Sequence, residues 1–161
     1  MDSPGAAGWR RPLVLAAVAG VVVALDQASK SWALEALADG PIDLVWTLRL
    51  SLSYNRGAAF GLGQGMAPLL IAAGVALLVV LAGFSRSLAG RLPTIALGLV
   101  LGGATGNLVD RLIRGHDGAV VDFIDLQWWP IFNVADMAIV CGAVLLVLTS
   151  GREPASAEDP S

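Results

Sequence analysis

The chain has 161 residues, 56% of them hydrophobic and only 14% charged, with a formal net charge of −3. A water-soluble domain carries about a quarter charged residues, so this composition excludes an ordinary soluble globule and points to a single membrane domain. No basic stripe is present to neutralise phosphates, which excludes a nucleic-acid partner; the single cysteine, Cys141, excludes an intramolecular disulfide framework and a cysteine-based metal cluster.

Four apolar runs have the length of a membrane span. The first follows Arg10 and Arg11 and imitates a cleavable secretion signal over Leu13–Leu25. Ala24-Leu25-Asp26 is a poor small-x-small cleavage site and more apolar runs follow, so the segment reads as a retained helix over Pro12–Leu34. Asp26 and Lys30 stand at i, i+4 on one face of it, spaced to pair. Between the first and second runs, Leu44, Trp46, Leu48, Leu50, Leu52 and Tyr54 alternate with Val45, Thr47, Arg49, Ser51 and Ser53. A period of two marks a strand with one apolar face, here lying at the membrane surface. Asn55-Arg56-Gly57 then supplies turn residues, and Gly61, Gly63 and Gly65 keep the following segment pliable.

The second helix, over Met66–Phe84, has no ionisable side chain. The third, over Leu92–Asp110, carries Gly98, Gly102 and Gly106 at four-residue spacing, a pattern that lets a neighbouring helix approach closely. Asn107, Asp110, Arg111, Asp122, Asn133 and Asp136 then crowd into thirty residues between apolar runs, where ionisable groups are costly and mark function by default. Trp128 and Trp129 suit an interfacial aromatic belt at the start of the fourth helix, over Pro130–Leu148. Cys141, inside that helix, reads as a small buried hydrophobe. The tail from Gly151, rich in Pro, Ser and acidic residues, reads as disordered.

Depth brings the polar residues together. Asp26 lies fourteen residues beyond Pro12 and Asn107 fourteen beyond Pro93, so each is roughly 21 Å along its helix at about 1.5 Å per residue. Asp136, six residues beyond Pro130, is roughly 9 Å from the opposite face. Across a hydrocarbon core about 30 Å thick, with helices alternating in direction, the three reach one level near the same surface. Positive charge does not orient the chain: Arg10, Arg11, Arg86, Arg91 and Arg152 on one side balance Lys30, Arg49, Arg56, Arg111 and Arg114 on the other.

On residue chemistry alone two readings of Asp122 and Asp136 stand. In an apolar site two neighbouring carboxylates share one proton, one activating water while the other protonates a carbonyl or leaving amine. Equally, Asp122 reads as a solvated loop carboxylate and Asp136 as a cap near the start of its helix. Asn133 shares a face with Asp136, and Asn107 shares one with Asp110 and with Arg111. Asp110 and Arg111 also read as a simple structural pair, and Asp125 as solvated. His116 is the only histidine, without the partners a metal site needs, so no metal is expected. No serine has a base beside it for nucleophilic catalysis.

GNLVDR, VVDF and FNVAD, together with DQASK at Asp26–Lys30 and NRGAAFG at Asn55–Gly61, resemble the lipoprotein signal peptidases (signal peptidase II), a family of membrane-embedded aspartyl proteases. The five motifs occur in order from about Asp26 to Asp136. The resemblance implies an all-α integral membrane protein of four transmembrane helices with a small β element at the outer surface. It implies Asp122 and Asp136 as the catalytic dyad, with Asn55, Asn107, Asp110, Arg111 and Asn133 supporting substrate and dyad. Asp26 and Lys30 are expected to be mainly structural. The implied reaction removes the signal peptide from diacylglyceryl-modified prolipoproteins, cutting before the lipidated cysteine, with no cofactor and with membrane lipid as the surroundings. The implied layout is a bacterial cytoplasmic membrane protein with residues 1–11 cytoplasmic, a protease domain over 12–150 that includes an extracytoplasmic β-containing segment at about 38–65, and a cytoplasmic tail over 151–161. The rival reading is a transporter or proton-relay protein using the same carboxylates. A purely structural four-helix subunit would leave the polar cluster unexplained.

Overall fold

Long apolar stretches become helices, and parts of the connections between them pair into a sheet. The computed structural model describes residues 10–57, 67–84 and 90–150. Its elements in order are α1 (Arg10–Ala36), β1 (Ile42–Val45), β2 (Leu48–Asn55), α2 (Ala67–Phe84), α3 (Arg91–Ile113), β3 (Val120–Asp125) and α4 (Val134–Ser150). The expected pliable glycine segment after Gly57, Met66 and the tail from Gly151 lie outside the described residues.

α3 is the central helix, packed against α1 and α4 and more sparsely against α2. Its glycines explain the closeness of the α1 contact. A Cβ on Gly98 would come within 2.9 Å of the Val18 Cβ, and one on Gly102 within 2.7 Å of the Val22 Cβ. Residues four apart on α1 therefore sit over glycines four apart on α3, as small-residue helix packing requires. Gly142 of α4 does the same against the Ala96 carbonyl of α3.

The surface is inverted relative to a soluble protein. Leu13, Val21 and Leu25 on α1, Val79 and Val80 on α2, and Val140, Val147 and Leu148 on α4 are exposed, whereas Lys30, Asp26, Asp110 and Asn133 are among the largest fully buried side chains. An apolar exterior around a polar interior is what hydrocarbon surroundings select. By length and composition two helical segments are long and apolar enough to cross a membrane, Arg11–Ala36 and Arg91–Ile113, while Pro68–Gly83 and Val134–Thr149 are apolar but shorter. Cys141 belongs to this exterior: it is exposed on α4 rather than buried, because none of the described residues covers its face of the helix.

The β element is larger than the sequence suggests, and the fold is mostly helical rather than all-α. The alternating stretch is not one strand but a hairpin broken at Trp46, which takes a left-handed φ of 51°. β2 pairs antiparallel with β1 on one side and β3 on the other, Ser53 standing opposite Asp122 and Asn55 opposite Val120. A small core of Ala33, Leu37 and Phe123, extended by Leu50, Leu52, Ile124 and Val134, fastens this sheet onto the end of α1 and the start of α4. α4 begins at Val134 instead of Pro130, because Phe132 is held in a backbone bridge to Ile124 (N–O 2.9 and 3.1 Å).

Candidate active site

Five elements each deliver polar side chains to one buried cluster beneath the sheet. Its base is an ion-pair network. Lys30 of α1, with no exposed surface, donates to Asp26 Oδ2 (2.8 Å), Asp110 Oδ2 (2.9 Å) and Asn107 Oδ1 (3.0 Å), which uses all three of its protons. Arg114 Nε completes the charge balance on Asp110 Oδ1 at 3.0 Å. The Gln27 amide ties the group together, donating to Asp26, Asp110 and the Gly106 carbonyl while its oxygen accepts from Arg114 at 2.8 Å. Two buried carboxylates thus meet two cations, the arrangement that buried charge demands.

The same network fixes the backbone above it. Asp110 Oδ2 accepts from the Val121 N–H (3.0 Å), locating β3 one residue before Asp122. Asp26 Oδ1 accepts from the Ala135 N–H (3.0 Å), so a carboxylate of α1 satisfies an orphan donor in the first turn of α4. At that helix start Asn133 Oδ1 accepts from the Asp136 N–H (3.0 Å), and Asp136 Oδ2 accepts from the Asn133 N–H (3.2 Å). This reciprocal pair is a capping box. The capping reading of Asp136 is therefore realised, but with only one of its oxygens; the other accepts from Asn107 Nδ2 at 2.8 Å.

Asp122 is not a solvated loop carboxylate. It lies in β3, almost wholly buried, and accepts from Asn133 Nδ2 at 2.6 Å. Burial and then the neighbouring charge of Asp136 push its pKa up to about 7, against the pull of hydrogen bonds from Asn133 and Asn55 and the charge of Lys30. Asn133 also donates to Asn107 Oδ1 (3.1 Å), linking both carboxylates through two amides. Asn55 turns its oxygen to the Gly57 N–H at 3.0 Å. All nine residues singled out in the sequence meet here, but two pairings differ from expectation. Asp110 pairs with Lys30 and Arg114, not with Arg111, which instead donates to the Gly57 carbonyl at 2.8 Å and the Asn107 carbonyl at 3.4 Å. Asp125 is buried and bound by Arg49 at 2.6 Å. Burial alone would raise its pKa; the Arg49 hydrogen bond and charge hold it below the usual carboxylate range. Gln27 and Arg114 escaped the sequence reading, though Arg114 at i, i+4 from Asp110 carries the spacing of a helical pair.

The chemical contrast is between the four carboxylates at the core of the site, three of them buried and Asp136 half-buried. Asp26 and Asp110 are neutralised by cations, whereas among the described residues Asp122 and Asp136 form no ion pair and are held only by amide and peptide N–H groups. A membrane-type exterior enclosing such a site under a small sheet is the architecture of a membrane enzyme. Two solved bacterial membrane enzymes share it: one, determined by the in meso method at 2.3 Å, has a TM-score of 0.77 and 27% identity over 89% of this chain and 91% of its own; the other, at 1.9 Å, has a TM-score of 0.70 and 27% identity over 84% and 91%.

The sequence profile of signal peptidase (SPase) II matches residues 18–152, and the chain belongs to that family of proteases. Among its relatives are the lipoprotein signal peptidases of Rhodococcus jostii (44% identical, covering 90% of this chain and 77% of the relative), Syntrophomonas wolfei (44%, covering 80% and 86%) and Streptomyces coelicolor (44%, covering 90% and 74%).

Proposed function

We propose that the protein is an aspartic endopeptidase that removes signal peptides from diacylglyceryl-modified prolipoproteins, with Asp122 and Asp136 as its reacting groups. The observation that carries this reading is a buried carboxylate, Asp122, and a half-buried one, Asp136, bridged by Asn133 and forming no ion pair among the described residues. Two such groups in a poorly hydrated site hold one proton between them. The ionised member takes a proton from water as its oxygen attacks the peptide carbonyl, and the protonated member gives its proton to the carbonyl oxygen. A proton then passes to the peptide nitrogen as the C–N bond breaks. The Asp122 carboxyl, titrating at about 7, suits the acid half of that cycle at neutral pH.

All four helices span the bilayer in this reading, with the termini in the cytoplasm and the sheet at the extracytoplasmic surface. Exposed Trp46, Trp128 and Trp129 suit an interfacial position there. The substrate enters sideways from the lipid, its signal peptide in the bilayer and its acyl chains alongside. Asn55, Asn107 and Asn133 hold the carboxylates or the peptide, Arg111 holds the Gly57 carbonyl beside the site, and Asp26, Lys30 and Asp110 form the base. A transport reading is disfavoured because the polar residues close on one another at one level instead of lining a path. Purified protein with a diacylglyceryl prolipoprotein peptide tests the assignment. Asp122→Asn and Asp136→Asn are each expected to lose cleavage while still inserting, and turnover by either variant would remove the pair from the mechanism.

A further inference from the structure

The orientation of the two asparagine amides in the site follows from what their neighbours are able to donate. An ammonium has only donors, so the atom of Asn107 that faces Lys30 at 3.0 Å must be its oxygen, which leaves its nitrogen facing Asp136 at 2.8 Å. A peptide N–H is also donor-only, so the atom of Asn133 that faces the Asp136 N–H must be its oxygen, which turns its nitrogen to Asp122 and to Asn107 Oδ1. Asn133 is thus oriented by the backbone of α4. Asn107 lies mid-helix on α3 and is oriented by Lys30, with Asn133 Nδ2 as a second, shared donor at 3.1 Å.

We propose that Lys30 is a positioning residue for the carboxylate pair: its ammonium locks the Asn107 amide with the nitrogen toward Asp136, so that Asn107 donates to that carboxylate while Asn133, set by the α4 backbone, donates to Asp122. This rests on the assignment of Asp122 and Asp136 as the reacting groups. It assigns Lys30 more than the anchoring of α1, since two of its three bonds balance charge and the third reaches the site. Without Lys30 the amide is free to turn its oxygen to Asp136, where it repels the ionised carboxylate and replaces a charge-assisted donor.

Removing Lys30 alone would leave two buried carboxylates facing only Arg114, so one carboxylate is removed first. In Asp26→Asn, the further change Lys30→Met removes the cation without leaving an excess charge, because Asp110 keeps Arg114. Asp26→Asn, Asp26→Asn/Lys30→Met, Asp26→Asn/Asn107→Ala and the triple variant form a double-mutant cycle for Lys30 and Asn107. Lys30→Met is expected to lower kcat by about tenfold or more, the scale of one hydrogen bond to an ionised group, with little change in KM or Tm. Once Asn107→Ala is present, the same change is expected to cost less than about threefold. Fold-losses that multiply, or a silent Lys30→Met, would overturn the proposal. Should the first background fail to insert, the same cycle in Asp26→Ser, where Asp110 again keeps Arg114, decides on the same criteria. Retained cleavage by Asp122→Asn in the otherwise unchanged protein would instead refute the carboxylate assignment, whatever the cycle shows.

Discussion

Replacing Asp122 by asparagine should make the protein more stable at neutral and alkaline pH while removing its activity. Asn keeps the shape, and its side-chain oxygen accepts the Asn133 Nδ2 hydrogen bond now made at 2.6 Å. What it removes is the cost of ionising a carboxyl in this site. The native carboxyl titrates at about 7, raised by burial and then by Asp136, against a starting value of 3.8. Between these values the folded protein binds a proton that the unfolded chain has lost, so stability falls as pH rises through that window and is level above it. The full penalty is up to about 4 kcal/mol, and water entry or relaxation around an ionised carboxylate would lessen it. For a chain of this size that corresponds to a gain of up to about 8–16 °C in Tm for Asp122→Asn at pH 8, shrinking toward zero near pH 4. Thermal unfolding of parent and variant in the same detergent from pH 4 to 8 reads both the offset and its slope. The parent's cleavage should decline above about pH 7 as the proton-donating form is lost. A variant no more stable than the parent at pH 8, with the same pH slope, would refute the reasoning.

Asp26→Ala should lower yield and Tm by leaving Lys30 short of a partner and the Ala135 N–H without its acceptor; adding Lys30→Ala should recover part of the Tm but not cleavage, and equal stability of Asp26→Ala and parent would contradict this. Gly106→Ala places a methyl 2.6 Å from Asp26 Oδ2, whose carboxylate is fixed by three partners, so a loss of several degrees in Tm is expected. Gly74→Ala, whose Cβ would meet, among the described residues, Leu108 Cδ1 at 3.8 Å, should be neutral or slightly stabilising, and similar losses for both would remove close packing as the cause. Cys141→Ala should be silent and a thiol reagent should not inhibit cleavage; inhibition traced to Cys141 would reveal a role for sulfur.

The helices were legible because hydropathy and length speak for themselves, and the glycine ladder of α3 announced its close neighbour. Depth counting also put Asp26, Asn107 and Asp136 at one level, where hydrogen bonds now join them. The sheet was less legible. Nothing at Trp46-Thr47 resembles turn chemistry, so the hairpin read as one strand. β3 depends on pairing with β2 across more than sixty residues, a contact no local pattern encodes. Asp125 read as solvated for the same reason, its partner Arg49 lying 76 residues away. Asp110 and Arg111 read as a pair by adjacency, yet consecutive helical residues point about 100° apart. One therefore faces α1 and the other the end of β2.

The way the pair is assembled bears on how such a protease is kept silent before it is complete. Asp122 is placed through a carboxylate of α3, and Asp136 through one of α1 and an amide of α3, with the sheet closing above them. No two neighbouring segments of the chain contain the whole arrangement. If Asp122 and Asp136 are the reacting groups as proposed, a nascent chain with α1 to α3 in place but not α4 holds its charged base and lacks one of the two carboxylates. On the proposed assignment the pair is assembled only when the last helix takes its place against α1 and α3.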